Sequence, residues 1–365
     1  MTQELSKSTR KRGISRRRFL ATTAAALPAA AVITRPGNAL AQSNQVIIRT
    51  SSGGSYGDAM ERAVYAPFTE ATGIEVVKTP SDMAPLIASV KNSQPLVDVV
   101  DTSEGLLQTL AAQDVLEPID YRAFTLFTKD DIGADSAQDL MVRRMVYARL
   151  LGYKGSAFSD AAPSSWADFW NVEAFPAPRA ISGLELNMPD LEFALLADGV
   201  PMDELYPLDI ERALAAYARI REDIVSFYGT DAISANLLST GEVDLLAIAN
   251  GRIQPMIDEG GDYAIEWNEH MKVPSAYAIL KEPTNLENAH KFIDFALSPE
   301  TQARFAAEIP YGPTNKKAFD LIAPEVAAKL PTNPEWNDKG FTQNVAWWGE
   351  NTAEVTKAWN VWASQ

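Results

Sequence analysis

The sequence predicts an α/β fold in two lobes, and three observations carry that prediction. The stretch Val46 to Val77 reads as a β-loop-α-β unit. A second strand, Val97 to Val100, again ends in a polar loop ahead of a helical segment. Two further apolar runs, Met145 to Leu151 and Val273 to Leu280, bracket a middle region with strands and helices of its own. Two such runs are what a chain needs to cross into a second lobe and return. Roughly 320 residues follow the N-terminal leader, enough to bury two cores.

The leader comes first in the chain. Lys7, Arg10, Lys11 and Arg12 precede Ser15-Arg16-Arg17-Arg18-Phe19-Leu20. An Ala-rich apolar stretch then runs from Ala21 to Ile33, and Ala39-Leu40-Ala41 supplies a small-x-small cleavage site. The apolar stretch falls short of the about 20 residues that a bilayer span needs. The Ser-Arg-Arg-x-Phe-Leu run resembles the twin-arginine export signal. Residues 1–41 are therefore expected to be a signal peptide, cleaved after Ala41, that sends the protein to a bacterial periplasm.

In the opening unit, Val46 to Arg49 favour an extended strand, and Ser51-Ser52-Gly53-Gly54-Ser55 breaks it. The adjacent glycines let the backbone approach another molecule closely. Met60, Val64, Phe68 and Ala71 then recur at helical spacing, Gly73 stops the helix, and Ile74, Val76 and Val77 start the next strand. A loop rich in hydroxyls and N–H groups at a helix N-terminus suits polar or anionic ligand groups; it serves equally as a tight turn without a ligand. The glycine spacing fails the dinucleotide fingerprint. Ala84 to Val90 is expected to be helical. The strand Val97–Val100 leads into Asp101-Thr102-Ser103-Glu104-Gly105, and two such loops in one open sheet would face one crevice at the strands' carboxyl ends.

Beyond the first crossover, helices are expected from Ser165, over Leu191 to Ala197 with Pro189 at its first position, and over Ile210 to Ile220. Arg179 to Ser182 and Val243 to Ala249 read as strands, the latter ending in Asn250-Gly251-Arg252. After the return run, Thr284 to Glu287 forms a capping box, Ser298 caps the following helix, and Asn351 to Trp362 closes the chain as a helix. Trp166, Trp170, Trp347, Trp348, Trp359 and Trp362 read mainly as packing residues.

Composition narrows the function. Residues 1–41 carry eight Lys/Arg and one acid, which leaves 24 basic and 47 acidic residues beyond them, a net −23. That balance argues against nucleic acid and anionic lipid. The absence of cysteine rules out disulfides, thiol catalysis and Cys-ligated metals, and two histidines are too few for a His-based metal cluster. No cofactor, metal or catalytic residue is expected.

Several stretches carry a resemblance in common: SSGGSYGDA with FTEATGIEV, SSWADFW, GEVDLLAIANGR, LENAHKFIDFALSPETQARFA, YGPTN and AWWGENTAEVTKAW. Together they resemble the spermidine/putrescine-type solute-binding proteins of ABC importers, a family with the type II periplasmic binding fold, across the whole chain after the leader. The resemblance implies two open sheets joined by two crossover hinge strands and closing on a solute. Lobe 1 would hold residues 42–150 and 276–320, and lobe 2 residues 151–275 and 321–365. It also implies a monomer that takes a small amine-containing solute (a polyamine, γ-aminobutyrate or an amino-acid derivative) to a cognate permease in the inner membrane.

Carried over residue by residue, the resemblance places Ser52, Gly53, Gly54 and Tyr56 of the first loop at the solute. It adds Thr102 and Ser103 of the loop after the third strand, and Asn187 and Asp190 of lobe 2. Polyamine binders carry an acid just before the return strand; here that position is about Ser275. The family's Trp-Asn-Gly is Ala249-Asn250-Gly251 here, which removes a stacking ring, and Trp267 is the candidate to replace it. Arg252 can take a solute carboxylate, as in relatives that bind carboxylate-bearing amines, or can pair on the surface with Asp244 or Glu242. With Asp101, Glu104 and Asp190 left to hold an ammonium, a zwitterionic solute is favoured over spermidine. The competing readings are a ferric-ion binder on the same fold, for which the chain lacks a Tyr-Tyr pair, and an exported enzyme, for which it lacks a nucleotide fingerprint and a G-x-S-x-G elbow.

Overall fold

The computed structural model describes residues 44–50, 54–158, 161–184 and 188–365. The leader with its cleavage site, Ser52, Gly53 and Asn187 lie outside these residues.

The strands, in chain order, are β1 Gln45–Arg49, β2 Glu75–Thr79, β3 Val99–Ser103, β4 Leu116–Glu117, β5 Val142–Lys154, β6 Arg179–Ser182, β7 Ile224–Tyr228, β8 Leu245–Ala249, β9 Tyr263–Leu280, β10 Gly312–Pro313 and β11 Gly340–Thr342. Their main path runs β2-β1-β3-β9-β5-β8-β6-β7. β1 pairs in parallel with β2 and β3, and β6 in parallel with β7 and β8, so each half of the path has the parallel core that strand–helix alternation produces.

The two halves are one continuous sheet because the crossover strands pair with each other. β5 and β9, 13 and 18 residues long, run antiparallel from Val142 opposite Tyr277 to Lys154 opposite Tyr263. The register shifts between Arg143 and Met145 and again between Arg149 and Leu151, where the pairing bends. The sequence marked only parts of these strands as apolar runs. The remainder, such as Glu266 to His270 on β9, is polar and carries no apolar run to mark it.

Alternation along the strands sends side chains to cores on both faces. Val99, Tyr277 and Ile279 pack with Ile48, Phe68, Phe292 and Ile293 on one face, while Val100, Ala276 and Ala278 pack with Leu86, Leu107 and Leu110 on the other. In the other half, Leu245 and Ala247 join Trp166, Phe169, Phe193 and Tyr217, while Leu246 and Ile248 join Leu237, Ile253 and Trp267. Each large apolar side chain so buried stabilises the fold by about 1.5–3 kcal/mol.

Local expectations differ from the structure at a few points. The first helix is interrupted by a π-turn at Glu61–Tyr65 before it ends at Gly73, whose φ is +70°. Pro189 lies before the helix Leu191–Ala197 rather than at its first position. Asp190 occupies the cap position, and its carboxylate makes no cap bond because Arg149 holds it. The cap of the helix Leu286–Ala296 is Asn285, one residue beyond the expected Thr284. β7 was not anticipated: it closes one end of the sheet, and exposed Val225 and half-buried Ser226 dilute its apolar signal.

Asn250 ties the halves together. Fully buried, it accepts a bond from the Ala148 N–H on β5 (2.9 Å) and donates to the Pro310 carbonyl (2.5 Å). Gly251 follows because a Cβ there would lie 2.5 Å from the Tyr311 ring.

Candidate functional site

A cleft of about 490 Å³ opens beside the crossover strands, lined by both halves of the molecule. One wall is Ser103, the last residue of β3, with Gly105, Leu106 and Thr109 of the helix Glu104–Ala112. The floor is Tyr147 and Arg149 of β5 with Met271, Val273 and Pro274 of β9. The other walls are Met188 to Asp190, Glu192, Asp231, and Gln343 with Trp348 and Thr352 of the helix Val345–Ala363. The volume falls within the range usual for small-molecule sites.

The arginines of β5 set the electrostatics. Arg144 binds buried Asp101 (2.6 Å), and Arg143 binds Glu104 (2.5 Å). Arg149 holds Asp190 through two bonds of 2.8 and 2.7 Å, reaches Asp231 at 3.2 Å and donates to the Tyr228 hydroxyl at 2.9 Å. The three carboxylates expected to be open to an ammonium, Asp101, Glu104 and Asp190, are therefore already engaged. They lie beside β5, whose polar positions carry guanidinium groups, and a buried carboxylate without a cation is costly.

Of the carboxylates that line the cleft, Asp190 and Asp231 share Arg149, and Glu192, in the first turn of the helix Leu191–Ala197, has no cation among the described residues. It is fully buried, and its Oε1 accepts bonds from the Tyr206 hydroxyl (2.5 Å) and the Trp348 indole N–H (2.7 Å). Its Oε2 has no hydrogen-bond partner among the described residues, and neither does the buried Oε1 of Gln343 on the same cleft. Burial pushes the Glu192 carboxyl up to about 7, against the opposing pull of the Tyr206 and Trp348 bonds. Two residues that line one cleft thus each keep a buried acceptor oxygen unpaired, and since a buried acceptor left bare costs about 1–3 kcal/mol, a hydrogen-bond donor that reached them would be favoured.

The structure brings Ser103 and Asp190, of the residues singled out in the sequence, onto this cleft. Ser275 is buried opposite Ser103 in the β3–β9 register and next to Pro274 of the floor. Thr102 pairs with Ala276 in the strand interior. Gly54 begins the helix Gly54–Met60. Tyr56 turns its hydroxyl inward, donating to Asp101 at 2.9 Å and accepting from Arg144.

Trp267 lies away from the cleft. It is buried in a core where it stacks on Trp336, with ring centroids 5.8 Å apart and planes 10° apart, and meets His270 edge-on. It packs rather than facing a ligand: strand alternation alone would put it on the face of Met271 and Val273, but the register shift between Glu266 and Met271, with Glu269 at φ +60°, turns it to the other face.

Arg252 is exposed in the first turn of the helix Asn250–Asp258 and forms no ion pair among the described residues, with Asp244 and Glu242 included. Its charge acts on Tyr311, whose ring lies 5.9 Å from that of Tyr147, so it flanks the cleft without lining it.

Tyr147, Arg149, Glu192, Asp231, Gln343 and Trp348 also line the cleft and were not among the residues singled out for the solute. Arg149 and Glu192 did carry a signal, each being a charged residue inside an otherwise apolar run (MVYARLL and LEFALLA). Among the described residues no group of three or more His, Cys, Asp or Glu side chains could hold a metal ion, and no helix is long and apolar enough to cross a membrane.

Comparison with known proteins gives consistent matches. A family model described as bacterial extracellular solute-binding protein matches residues 63–335. The γ-aminobutyric acid-binding protein of Pseudomonas aeruginosa is 32% identical over 335 residues, covering 90% of this chain and 93% of that protein. The spermidine/putrescine-binding periplasmic protein of Escherichia coli is 26% identical over 300 residues, covering 76% and 84%. Among solved structures, an ABC transporter substrate-binding protein from Bradyrhizobium japonicum superposes with a TM-score of 0.79 at 34% identity, covering 88% of this chain and 98% of that one.

Proposed function

The chain belongs to the bacterial extracellular solute-binding proteins, and on that premise we propose that its solute is a small ω-amino acid of the γ-aminobutyrate type. It is the solute-binding component of an ABC importer. The observation that carries the solute class is the pair of buried, unpaired acceptors, Glu192 Oε2 and Gln343 Oε1, on two residues that line the cleft. An ammonium offers three N–H donors and a positive charge, which satisfies both oxygens and supplies the cation that Glu192 lacks. The carboxylate end of the solute turns to Arg149, which has one N–H unused among the described residues, and to the hydroxyl of Ser103.

A diamine is the competing reading, favoured by the excess of Asp190, Asp231 and Glu192 over Arg149 on the cleft. Its second ammonium would sit beside a guanidinium, and the carboxylates near that end, Asp190 and Asp231, already share it. The 32% identity to a γ-aminobutyric acid-binding protein, against 26% to a polyamine-binding one, supports the same choice. We further read the protein as an exported, periplasmic monomer that closes about β5 and β9 on its solute and delivers it to the permease.

Titration calorimetry of solute-free protein with γ-aminobutyrate, putrescine and spermidine tests this. γ-Aminobutyrate is expected to bind most tightly, and Glu192→Ala to weaken it by about 2–5 kcal/mol, the usual loss when one partner of a buried charge pair is removed. Tighter binding of either polyamine would transfer the assignment to the diamine reading.

A further inference from the structure

Glu192 is held in a way that a purely structural carboxylate is not. Oε1 is fixed by two donors from different elements, Tyr206 ahead of the helix Ile210–Arg219 and Trp348 of the helix Val345–Ala363, while Oε2 is buried and unpaired on a residue that lines the cleft. The charged and titratable groups around it are few. Asp190 precedes it at the helix cap and repels its charge, Tyr206 is neutral, and Tyr217 of the helix Ile210–Arg219 turns its hydroxyl to the Asp190 carbonyl. Arg149 of β5 is taken up by Asp190 and Asp231, and from the helix Val345–Ala363 the contact is an indole. Asp168, on the neighbouring helix Trp166–Trp170, bonds back to Ser164.

We propose that Glu192 exchanges a proton for the solute's ammonium, so that capture releases one proton and acid weakens capture. This rests on the reading that the solute brings an ammonium to Oε2. In the solute-free protein the buried carboxyl has no counter-ion and holds a proton. When the ammonium arrives, Oε2 loses that proton to bulk water and accepts N–H bonds instead, and charge is conserved because one cation enters as one proton leaves. The upward displacement of this carboxyl to about 7 by burial puts the exchange near neutral pH.

Two measurements test it. Calorimetry with γ-aminobutyrate, and separately with putrescine, in buffers of differing ionisation enthalpy should give close to one proton released per solute at pH 6. The apparent Kd should be flat above about pH 8 and rise about tenfold per unit below about pH 6. Glu192→Gln should abolish both dependences. Infrared spectra of the solute-free wild type should show a protonated-carboxyl band at pH 6 that fades by pH 8 and is missing from Glu192→Gln. Binding without proton release, or the absence of that band at pH 6, overturns the proposal and leaves the solute class standing. Failure of both probes to bind at any pH instead overturns the solute reading, and the proposal with it.

Discussion

Replacing Arg149 with methionine removes a charge from the floor of the cleft while keeping an apolar stem of similar length. The Arg149 side chain is 6% exposed and Asp190 only 2%, so both charges are out of water. In the variant Asp190 loses its bonds of 2.8 and 2.7 Å to the guanidinium and keeps the Ser182 N–H at 3.1 Å. Tyr228 keeps its bond to the Ala247 carbonyl, and Asp231, 28% exposed, recovers water. The cost is therefore essentially that of one stranded buried carboxylate, about 3–5 kcal/mol. For a chain of this length that is a fall in Tm of roughly 5–10 °C. Urea and thermal unfolding of solute-free protein would measure it, together with Asp190→Asn and the double variant. The double variant should cost less than the sum of the single ones by about 1–3 kcal/mol, since the two residues lose one interaction between them. A single Arg149→Met that costs under about 1 kcal/mol, or a strictly additive double variant, would refute the reasoning.

Three further predictions concern other parts of the chain. A carboxyl raised to about 7 from an ordinary 4.5 contributes stability that is complete below pH 4.5 and lost as pH rises through 7, a span of roughly 3 kcal/mol. Between pH 5 and 8 the solute-free wild type should thus lose stability relative to Glu192→Gln, and parallel unfolding profiles would contradict this. Arg252→Ala should weaken γ-aminobutyrate binding by no more than about 1 kcal/mol, chiefly through the association rate and more so at low salt, because an exposed charge is screened; stopped-flow binding over a salt series checks it, and a larger, salt-independent loss would put Arg252 in contact with solute. Arg16→Lys with Arg17→Lys should leave uncleaved precursor in the cytoplasm on fractionation, and normal export of that variant would exclude the twin-arginine route.

Much of the fold was legible because its signals are local. Gly73 and Ser298 are punctuation that neighbouring residues determine, and most of the short parallel strands are apolar runs between breakers. β9 was half-visible: Val273 to Leu280 is apolar, but Glu266 to His270 spans a register shift, where Glu266 pairs with Leu151 of β5 and His270 with Gly340 of β11. The site was less legible, since the charge pairs that decide it join residues far apart in sequence. Asp101, Glu104 and Asp190 look like free acids until β5 brings Arg144, Arg143 and Arg149 against them. Glu192 looks like the polar face of a short helix until Trp348, 156 residues later, covers it. Trp267 illustrates the opposite error, an aromatic near a functional stretch that an irregularity of its strand at Glu269 turns into a core.

The most direct test of the account is a crystal structure of the protein with γ-aminobutyrate bound. The ammonium nitrogen should lie within hydrogen-bond distance, about 2.7–3.2 Å, of both Glu192 Oε2 and Gln343 Oε1, with the carboxylate toward Arg149. A solute lying in the reverse orientation, or seated elsewhere with Glu192 Oε2 still bare, would contradict it.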